Sequence, residues 1–356
     1  MATAFKVPSS PKPSETVGFV RNAWYVAAWS TEIEDGILGR MILHTPIALF
    51  RQQDGQIAAL LDICPHKFAP LSLGKRVGDG VQCGYHGLEF DAGGRCVRNP
   101  QGNQKIPPGS QVATFPVVER HGAIWIWPGE PALADVQAIP DFGFFSDPAW
   151  KAIYGLGHVE GNYKLSIDNL MDLGHGLFLH KASAGDFGDA RCEIEVGQEG
   201  EKVWDRRLYP SLDMPEALAA RFDVPAGAPM DVVADIEWLP AGLIQNLIAM
   251  CPPGKARVEG NMTRGMHCLT PETETSTHYF FANVRNFLLN DPRIDEGLRR
   301  WQKDALQDED SMMVSAVERN TEAAVRLGVQ PIYLSTDNAG ARVRRVLETL
   351  VRRDNC

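Results

Sequence analysis

The chain has 356 residues, a formal net charge of −10 and 44% hydrophobic residues, which is typical of a globular protein of about two domains. The acidic balance argues against nucleic acid as the main partner, although one local cation would still allow a small anionic substrate to bind. No apolar run is long enough for a membrane span or a secretory signal. Seven widely spaced cysteines are a poor disulfide framework, so we expect a reducing, cytoplasmic location.

The first half of the chain predicts β structure. Residues 1–17 are polar and rich in Pro and Ser, and we expect a flexible tail there. From Phe19 to Pro128 short apolar runs alternate with glycine turns, which predicts a small β-sandwich. The three expected hairpins turn at Asp54-Gly55, at Asp91–Gly94 and at His121-Gly122. Residues 129–149 are rich in Pro, Ala and Asp and are interpreted as a connector.

The second half predicts a mixture of strands and helices. Helical spacing covers Asn162–His180, and a long helix is expected from Asp291-Pro292 to Leu327, with Asp291 as its N-cap. A final helix is expected at about 337–352. Antiparallel strands are expected at 192–209, 230–250, 255–269 and 276–287. The fold class is therefore α+β.

Two short segments each offer one thiol and one imidazole. Cys64-x-His66 is followed, after sixteen intervening residues, by Cys83-x-x-His86. A Cys₂His₂ zinc site would accept this ligand set, but classical zinc fingers pair Cys with Cys and His with His along the chain. A Rieske [2Fe–2S] cluster places two Cys on one iron and two His on the other, as two mixed loops would. Gly84 allows a close backbone approach in the second loop.

The spacing C-x-H-x₁₆-C-x-x-H resembles that of the Rieske family. Lys67 stands where many relatives have Arg, and Leu88 stands where many have Trp, but neither is a ligand. The respiratory-chain type carries an additional Cys in each loop, and no such pair exists here. The resemblance therefore implies the oxygenase type, with Cys96 as a small core residue.

A second constellation lies in the segment that begins at Asn169. Asp172, His175 and His180 fall in an apolar stretch, and histidines there would otherwise be core residues bonded to backbone carbonyls. Five positions on an ideal helix place the two histidines about 140° apart. They converge only if the helix is distorted or ends, and Gly174 lowers the free energy that such a distortion requires.

The pattern D-x-x-H-x₄-H resembles the mononuclear iron motif of the Rieske non-heme iron oxygenases. That resemblance implies an Fe(II) site held by His175, His180 and one distant acid, which matches Asp310, with Asp308 and Glu309 as alternatives. It also implies a ring-shaped homotrimer. Asp172 would join His175 to His86 of a neighbouring subunit, although it would otherwise be an acid on the surface of a helix.

The resemblance covers nearly the whole chain and is strongest to the branch that includes vanillate O-demethylase and dicamba monooxygenase. It implies a Rieske domain at 18–130 and a catalytic domain of helix-grip, Bet v1-like architecture at 131–356. Catalytic roles fall on Asp172 and Asn169. The substrate pocket would contain Asn246, His267 and Trp301, which hydrogen-bond or pack on an aromatic acid, although His267 and Trp301 would also fit plain core roles.

The implied reaction is O-demethylation of a methoxylated aromatic acid to a phenol and formaldehyde. It consumes O₂ and electrons from NADH, delivered by a separate flavin- or ferredoxin-type reductase, since the chain lacks a G-x-G-x-x-G fingerprint. Ring hydroxylation, dihydroxylation and N-demethylation remain open, because the same metal sites serve all of them. A Rieske ferredoxin and a zinc-stabilised binding module are the alternatives outside this enzyme class.

Overall fold

The computed structural model describes residues 18–187, 190–255 and 259–354. The tail predicted at 1–17 lies outside the described residues, as do positions 256–258 of the strand predicted at 255–269. The chain divides into two compact units, one of the described residues up to Pro140 with Asp354 and one of Asp141–Arg353. Among the described residues, no helix has the length and apolar character needed to cross a membrane.

The first unit is built from three small antiparallel sheets. They are ordered β1-β10-β9, β2-β3-β4 and β5-β6-β7-β8. The strands are β1 (Tyr25–Trp29), β2 (Ile37–Ile42), β3 (Thr45–Arg51), β4 (Ile57–Leu61), β5 (Lys75–Val77), β6 (Gly80–Gln82), β7 (Glu89–Asp91), β8 (Cys96–Arg98), β9 (Val117–Arg120) and β10 (Ala123–Ile126). The all-β prediction for this half is confirmed.

All three predicted hairpin turns are present. The Asp54-Gly55 turn joins β3 to β4, with Gly55 at φ +88°, a conformation that glycine adopts without strain. The run Val112–Val118 also predicts the first strand of the third hairpin, but that strand starts only at Val117. Pro116, which has no N–H to donate to a ladder, directly precedes this strand.

The second unit contains a seven-stranded antiparallel sheet ordered β11-β17-β16-β15-β14-β13-β12, with helices packed on it. Its strands are β11 (Lys151–Val159), β12 (Glu193–Glu199), β13 (Lys202–Asp213), β14 (Pro229–Leu239), β15 (Leu243–Cys251), β16 (Asn261–Pro271) and β17 (Thr277–Arg285). Its helices are α1 (Tyr163–Met171), α2 (Gly176–Leu179), α3 (Lys181–Ala184), α4 (Glu216–Phe222), α5 (Pro292–Trp301), α6 (Ser311–Leu327) and α7 (Asn338–Asp354). The α+β prediction is confirmed.

Two segments that were each predicted as one strand form two antiparallel strands in the structure. The apolar run 230–250 reverses at Ala241 and Gly242, which have φ of +66° and +77°, and the run 192–209 reverses at Gly200. The turn at Ala241 and Gly242 carries no polar side chain that would mark it in the sequence, whereas the turn at Gly200 lies between Glu199 and Glu201. Strand β11 and helix α4 were not predicted at all.

Two helical predictions are confirmed, each with an interruption. The helix predicted over Asn162–His180 stops after Met171 and resumes as α2 and α3. The long helix begins at its N-cap Asp291, whose side chain accepts from the N–H of Arg293 at 2.9 Å. Between α5 and α6, however, it runs as a π-helix over Gln302–Asp310. Both interruptions fall where the predicted iron ligands lie.

Two glycines of β11 provide a test of how closely this strand packs on β17. A β-carbon on Gly155 would lie 2.0 Å from the ring of Phe281, whereas one on Gly157 would have its closest contact, with Gln307, at 3.5 Å. We expect Gly155→Ala to destabilise the protein by about 1–3 kcal/mol through overpacking, and Gly157→Ala by less than about 0.5 kcal/mol. Urea unfolding of both variants measures this difference. Equal losses would contradict the packing described.

Candidate metal centres

The two Cys/His loops of the first unit have the same backbone structure. The N–H of Phe68 donates to the carbonyl of Cys64, and the N–H of Gly87 donates to that of Cys83. Each loop therefore closes the same five-residue turn and leaves it through a residue of positive φ, +60° at Phe68 and +78° at Gly87. Gly87 fits this conformation without strain, and a β-carbon there would also meet Pro100.

The four side chains of these loops separate into sulfur and nitrogen pairs. The thiols of Cys64 and Cys83 are both buried in the core of the unit. Burial raises the pKa of the Cys64 thiol to about 11, and the neighbouring Cys83 helps to raise it. The rings of His66 and His86 lie nearer the surface, with centroids 4.4 Å apart. Two adjacent thiols and two adjacent imidazoles fit a cluster whose irons take different ligands.

In the second unit three side chains bring ligand atoms to one point. His175 Nε2 and His180 Nε2 are 3.2 Å apart, and Asp310 Oδ1 lies 3.4 Å and 3.2 Å from them. Burial acts to raise the pKa of Asp310, but the two imidazoles lower it to about 2. Its Oδ1 is buried and accepts no hydrogen bond within the described structure. Two imidazoles and one ionised carboxylate fit a mononuclear iron that keeps open coordination positions.

The opposite ring nitrogens of both histidines have acceptors. His175 Nδ1 lies 2.5 Å from the backbone carbonyl oxygen of Asp172, and His180 Nδ1 lies 2.6 Å from Glu309 Oε2. Glu309 also accepts from the hydroxyl of Ser183 at 2.9 Å. An acceptor at Nδ1 holds the ring proton there, which leaves each Nε2 lone pair free for a metal.

The three acids considered for the third ligand have different positions in the structure. Asp310 reaches the two histidines, Glu309 orients His180, and Asp308 is exposed and pairs with Lys303 at 2.5 Å. The geometry therefore favours Asp310, as the motif did. Sequence reasoning considered Glu309 only as an alternative ligand and missed Ser183. The approach of both to His180 depends on the tertiary fold.

Asp172 and Asn169 lie beside this group. Asp172 Oδ1 accepts from the N–H of Gly174 at 2.9 Å and lies 3.6 Å from Arg207 Nη2, while its carbonyl orients His175. Asn169 lines a small cavity together with Asp310. The predicted link from Asp172 to His86 of a neighbouring subunit stays a prediction.

A mostly apolar cavity of about 190 Å³ adjoins the three ligand groups and contains all of the predicted pocket residues. Asn246 on β15 pairs with Gly265 on β16, and His267 follows two residues later on the same face of the sheet. A β-carbon on Gly265 would lie 2.2 Å from Asn246 Oδ1. Glycine at this position therefore makes room for the amide.

His267 is held between two neutral partners. Its Nε2 lies 3.2 Å from Asn246 Nδ2, and its Nδ1 lies 2.7 Å from the hydroxyl of Tyr279. Burial lowers the pKa of His267 to about 4, so the ring is neutral at pH 7. Asn246 Oδ1 and the indole N–H of Trp301 are buried without partners in the described structure. Tyr279 is a further residue that the sequence did not reveal.

Comparison with known families agrees with this arrangement. Residues 23–116 match the Rieske [2Fe–2S] domain, and residues 159–353 match the vanillate O-demethylase oxygenase C-terminal domain. The chain therefore belongs to the Rieske non-heme iron oxygenases, as an oxygenase component. It is an oxidoreductase with a Rieske [2Fe–2S] cluster and a mononuclear iron. A zinc-stabilised module and a free-standing ferredoxin are excluded.

Several characterised relatives are similar over almost their entire length. The oxygenase component of dicamba O-demethylase from Stenotrophomonas maltophilia is 50% identical over 93% of this chain and 98% of its own. The oxygenase component of chloroacetanilide N-alkylformylase from Rhizorhabdus wittichii is 40% identical over 94% and 96%. The crystal structure of dicamba monooxygenase bound to 3,6-dichlorosalicylic acid superposes with a TM-score of 0.91, at 50% identity over 95% of this chain and 99% of that one.

The contact between Glu309 and His180 predicts an effect on iron retention. Glu309→Gln removes the charge that holds the His180 ring, so we expect iron affinity to fall about 10–100-fold. Asp308→Asn is the matched control, because Asp308 is the adjacent acid and does not contact the histidines. Iron content after dialysis against a chelator, relative to cluster absorbance, measures the effect. Equal retention in both variants would contradict the orienting role.

The buried His267 predicts a pH dependence of stability. Its pKa is about 4 in the folded chain and about 6.5 when unfolded, so below pH 6.5 only the unfolded chain takes up the proton. The contribution of His267 to the free energy of unfolding is therefore fully present above pH 6.5. It falls by about 1.4 kcal/mol per pH unit as the pH drops toward 4. We expect His267→Gln to lose less Tm than the wild type between pH 7 and pH 5, by calorimetry. The exposed His44, changed to Gln, is the control, and identical losses in H267Q and wild type would contradict the assignment.

Proposed function

We propose that this chain is the terminal oxygenase of a multicomponent Rieske monooxygenase that O-demethylates a methoxylated, vanillate-like aromatic acid to a phenol and formaldehyde. The observation that carries the proposal is the His175, His180 and Asp310 group, which adjoins an apolar cavity with unpartnered polar atoms of Asn246 and Trp301. The dicamba O-demethylase relative, at 50% identity, supports the reaction type.

In this proposal Cys64 and Cys83 hold one iron of the cluster, and His66 and His86 hold the other. The mononuclear iron is held by the three side chains named above, through the Nε2 atoms of the histidines. When bound, these metals supply single-electron transfer and the activation of O₂. Glu309 and the Asp172 carbonyl keep the two ligand imidazoles in the required tautomer.

The cavity residues position the substrate. The apolar walls of the cavity, which include Leu170, Leu177 and Ile236, would exclude water and pack on the aromatic ring. The second N–H of Asn246 Nδ2 and the Trp301 indole N–H are donors for an oxygen substituent, and the neutral His267, whose ring nitrogens contact Asn246 and Tyr279, orients the Asn246 amide. This arrangement would hold the methoxy carbon beside the metal ligands.

The overall reaction balances with two electrons from outside the chain. The ether ArOCH₃, O₂, two electrons and two protons give ArOH, formaldehyde and water, because the hydroxylated methyl group is a hemiacetal that collapses. A separate flavin- or ferredoxin-type reductase would supply the electrons from NADH, since no dinucleotide fingerprint is present in the sequence. The description of the similar proteins as oxygenase components supports this division of labour.

We further propose a cytoplasmic homotrimer in which Asp172 joins His175 to His86 of the adjacent subunit. None of the six cysteines of the described chain forms a disulfide, which supports a reducing compartment. The Asp172 side chain is partly exposed, so its carboxylate is accessible to a second chain.

Product analysis tests the reaction. The reduced holoenzyme is incubated without O₂ with each of a panel of methoxylated aromatic acids, together with a surrogate reductase and NADH, and O₂ is then added. We expect one formaldehyde for each matching phenol from at least one acid. His175→Ala should lose mononuclear iron and turnover while the cluster spectrum remains intact. NADH oxidation with peroxide and no formaldehyde from any acid would instead favour ring hydroxylation or N-demethylation.

A further inference from the structure

The cavity wall includes a cation that the metal centres do not use. Arg221 lies in the last turn of α4 and borders the cavity. Its guanidinium carbon is 4.5 Å from the ring centroid of Trp301 and 5.2 Å from that of Phe222. The guanidinium is therefore held against two aromatic rings at the edge of the space that the substrate would fill.

This guanidinium has no counter-charge among the described residues. Its Nη1 is buried without a hydrogen-bond partner, and no carboxylate of the described residues forms an ion pair with it. Burial lowers the pKa of Arg221 to about 10, so it is still charged at neutral pH. Arg207, which borders the same cavity, is by contrast paired with Asp205 through two hydrogen bonds of 3.2 Å and 3.0 Å.

A second donor lies next to it. The indole N–H of Trp301, whose ring packs on the Arg221 guanidinium, is also buried without a partner. A buried charge without a partner is strongly unfavourable, and contact with aromatic rings offsets only part of that cost. Because the described residues provide no anion here, one from outside the chain would complete the pair.

We propose that Arg221 and Trp301 form an anion subsite that receives the acidic group of the substrate. This inference rests on the proposed function and divides the cavity into two ends. A carboxylate or a sulfonate binds at the cationic end, while the Asn246 amide, which the neutral His267 orients, contacts an uncharged oxygen substituent. The alternative role for Arg221 is purely structural, as a cation at the end of a helix that packs on Trp301. Only the anion subsite makes Arg221 responsible for selecting charged over uncharged ligands.

Binding of a matched pair of probes separates these roles. 2-Methoxybenzoate and 2-methoxybenzamide have similar shapes and differ in charge. Their affinities are measured by calorimetry on the oxidised holoenzyme, without NADH. We expect the wild type to favour the carboxylate, and Arg221→Met to weaken it about 30-fold and the amide less than about 3-fold, because a charged hydrogen bond is lost. Arg300→Met is the control, since Arg300 is an exposed cation beside Trp301, and should change neither affinity by more than about 3-fold.

Three results would overturn the proposal. They are a wild type that does not favour the carboxylate, an Arg221→Met variant that weakens both probes equally, and one that weakens neither. Cluster absorbance and circular dichroism check folding. If Arg221→Met does not fold, Arg221→Lys provides the test, because it keeps the charge and should retain a carboxylate preference while losing part of the affinity. No turnover is measured, so a failure of O-demethylation and a failure of the anion subsite are distinguishable.

Discussion

The catalytic unit depends on holding one buried carboxylate oxygen against two imidazole nitrogens. Asp310 Oδ1 and the Nε2 atoms of His175 and His180 all lie within 3.4 Å of each other. Because the ring protons are held at Nδ1, no hydrogen lies between these three atoms. Such atoms repel one another at these distances unless a cation lies between them, so the fold must hold them in place. The break after α1 turns His175 toward His180, and the acceptors at each Nδ1 prevent the rings from rotating. The apolar cavity adjoins this group.

The net charge of the chain and the local charge in the cavity wall have opposite signs. The chain as a whole is acidic, at −10, yet the cavity wall carries a guanidinium that no described carboxylate neutralises. A net negative chain keeps anions at a distance only through a screened, long-range field, while a local cation acts within hydrogen-bond distance. Two similar proteins differ in the reactions that their names describe, one being an O-demethylase component and one an N-alkylformylase component. Because the same kind of metal site serves both reactions, selection between them would rest on the walls of the cavity.

Local patterns predicted the parts of this structure that depend on neighbouring residues. The Cys64 and Cys83 motifs and the Asp54-Gly55 hairpin are short-range features, and each forms as expected. The distortion between His175 and His180 followed from their spacing alone. The direction in which Glu309 and Asp310 point could not be predicted in this way. A helical wheel assumes 3.6 residues per turn, whereas these two acids lie in a π-helix. Likewise, whether Arg221 has a partner depends on strands and helices far apart in the sequence, which no local pattern contains.

The π-helical segment Gln302–Asp310 also constrains how this protein can vary in length. Its start is held by Gln302, which donates to Asn283 Oδ1 at 2.9 Å, and its end by Ser311, whose hydroxyl donates to the carbonyl of Leu306 at 2.9 Å. Deleting one residue between these anchors would rotate the following acid by about 100° away from the histidines. Conservative substitutions away from Gln302, Glu309 and Asp310 would be tolerated here while insertions and deletions would not, so natural length variation should concentrate in connectors such as the short 3₁₀ turns between Pro131 and Phe145. At the other positions of this stretch the number of residues, more than their identity, is what selection would preserve.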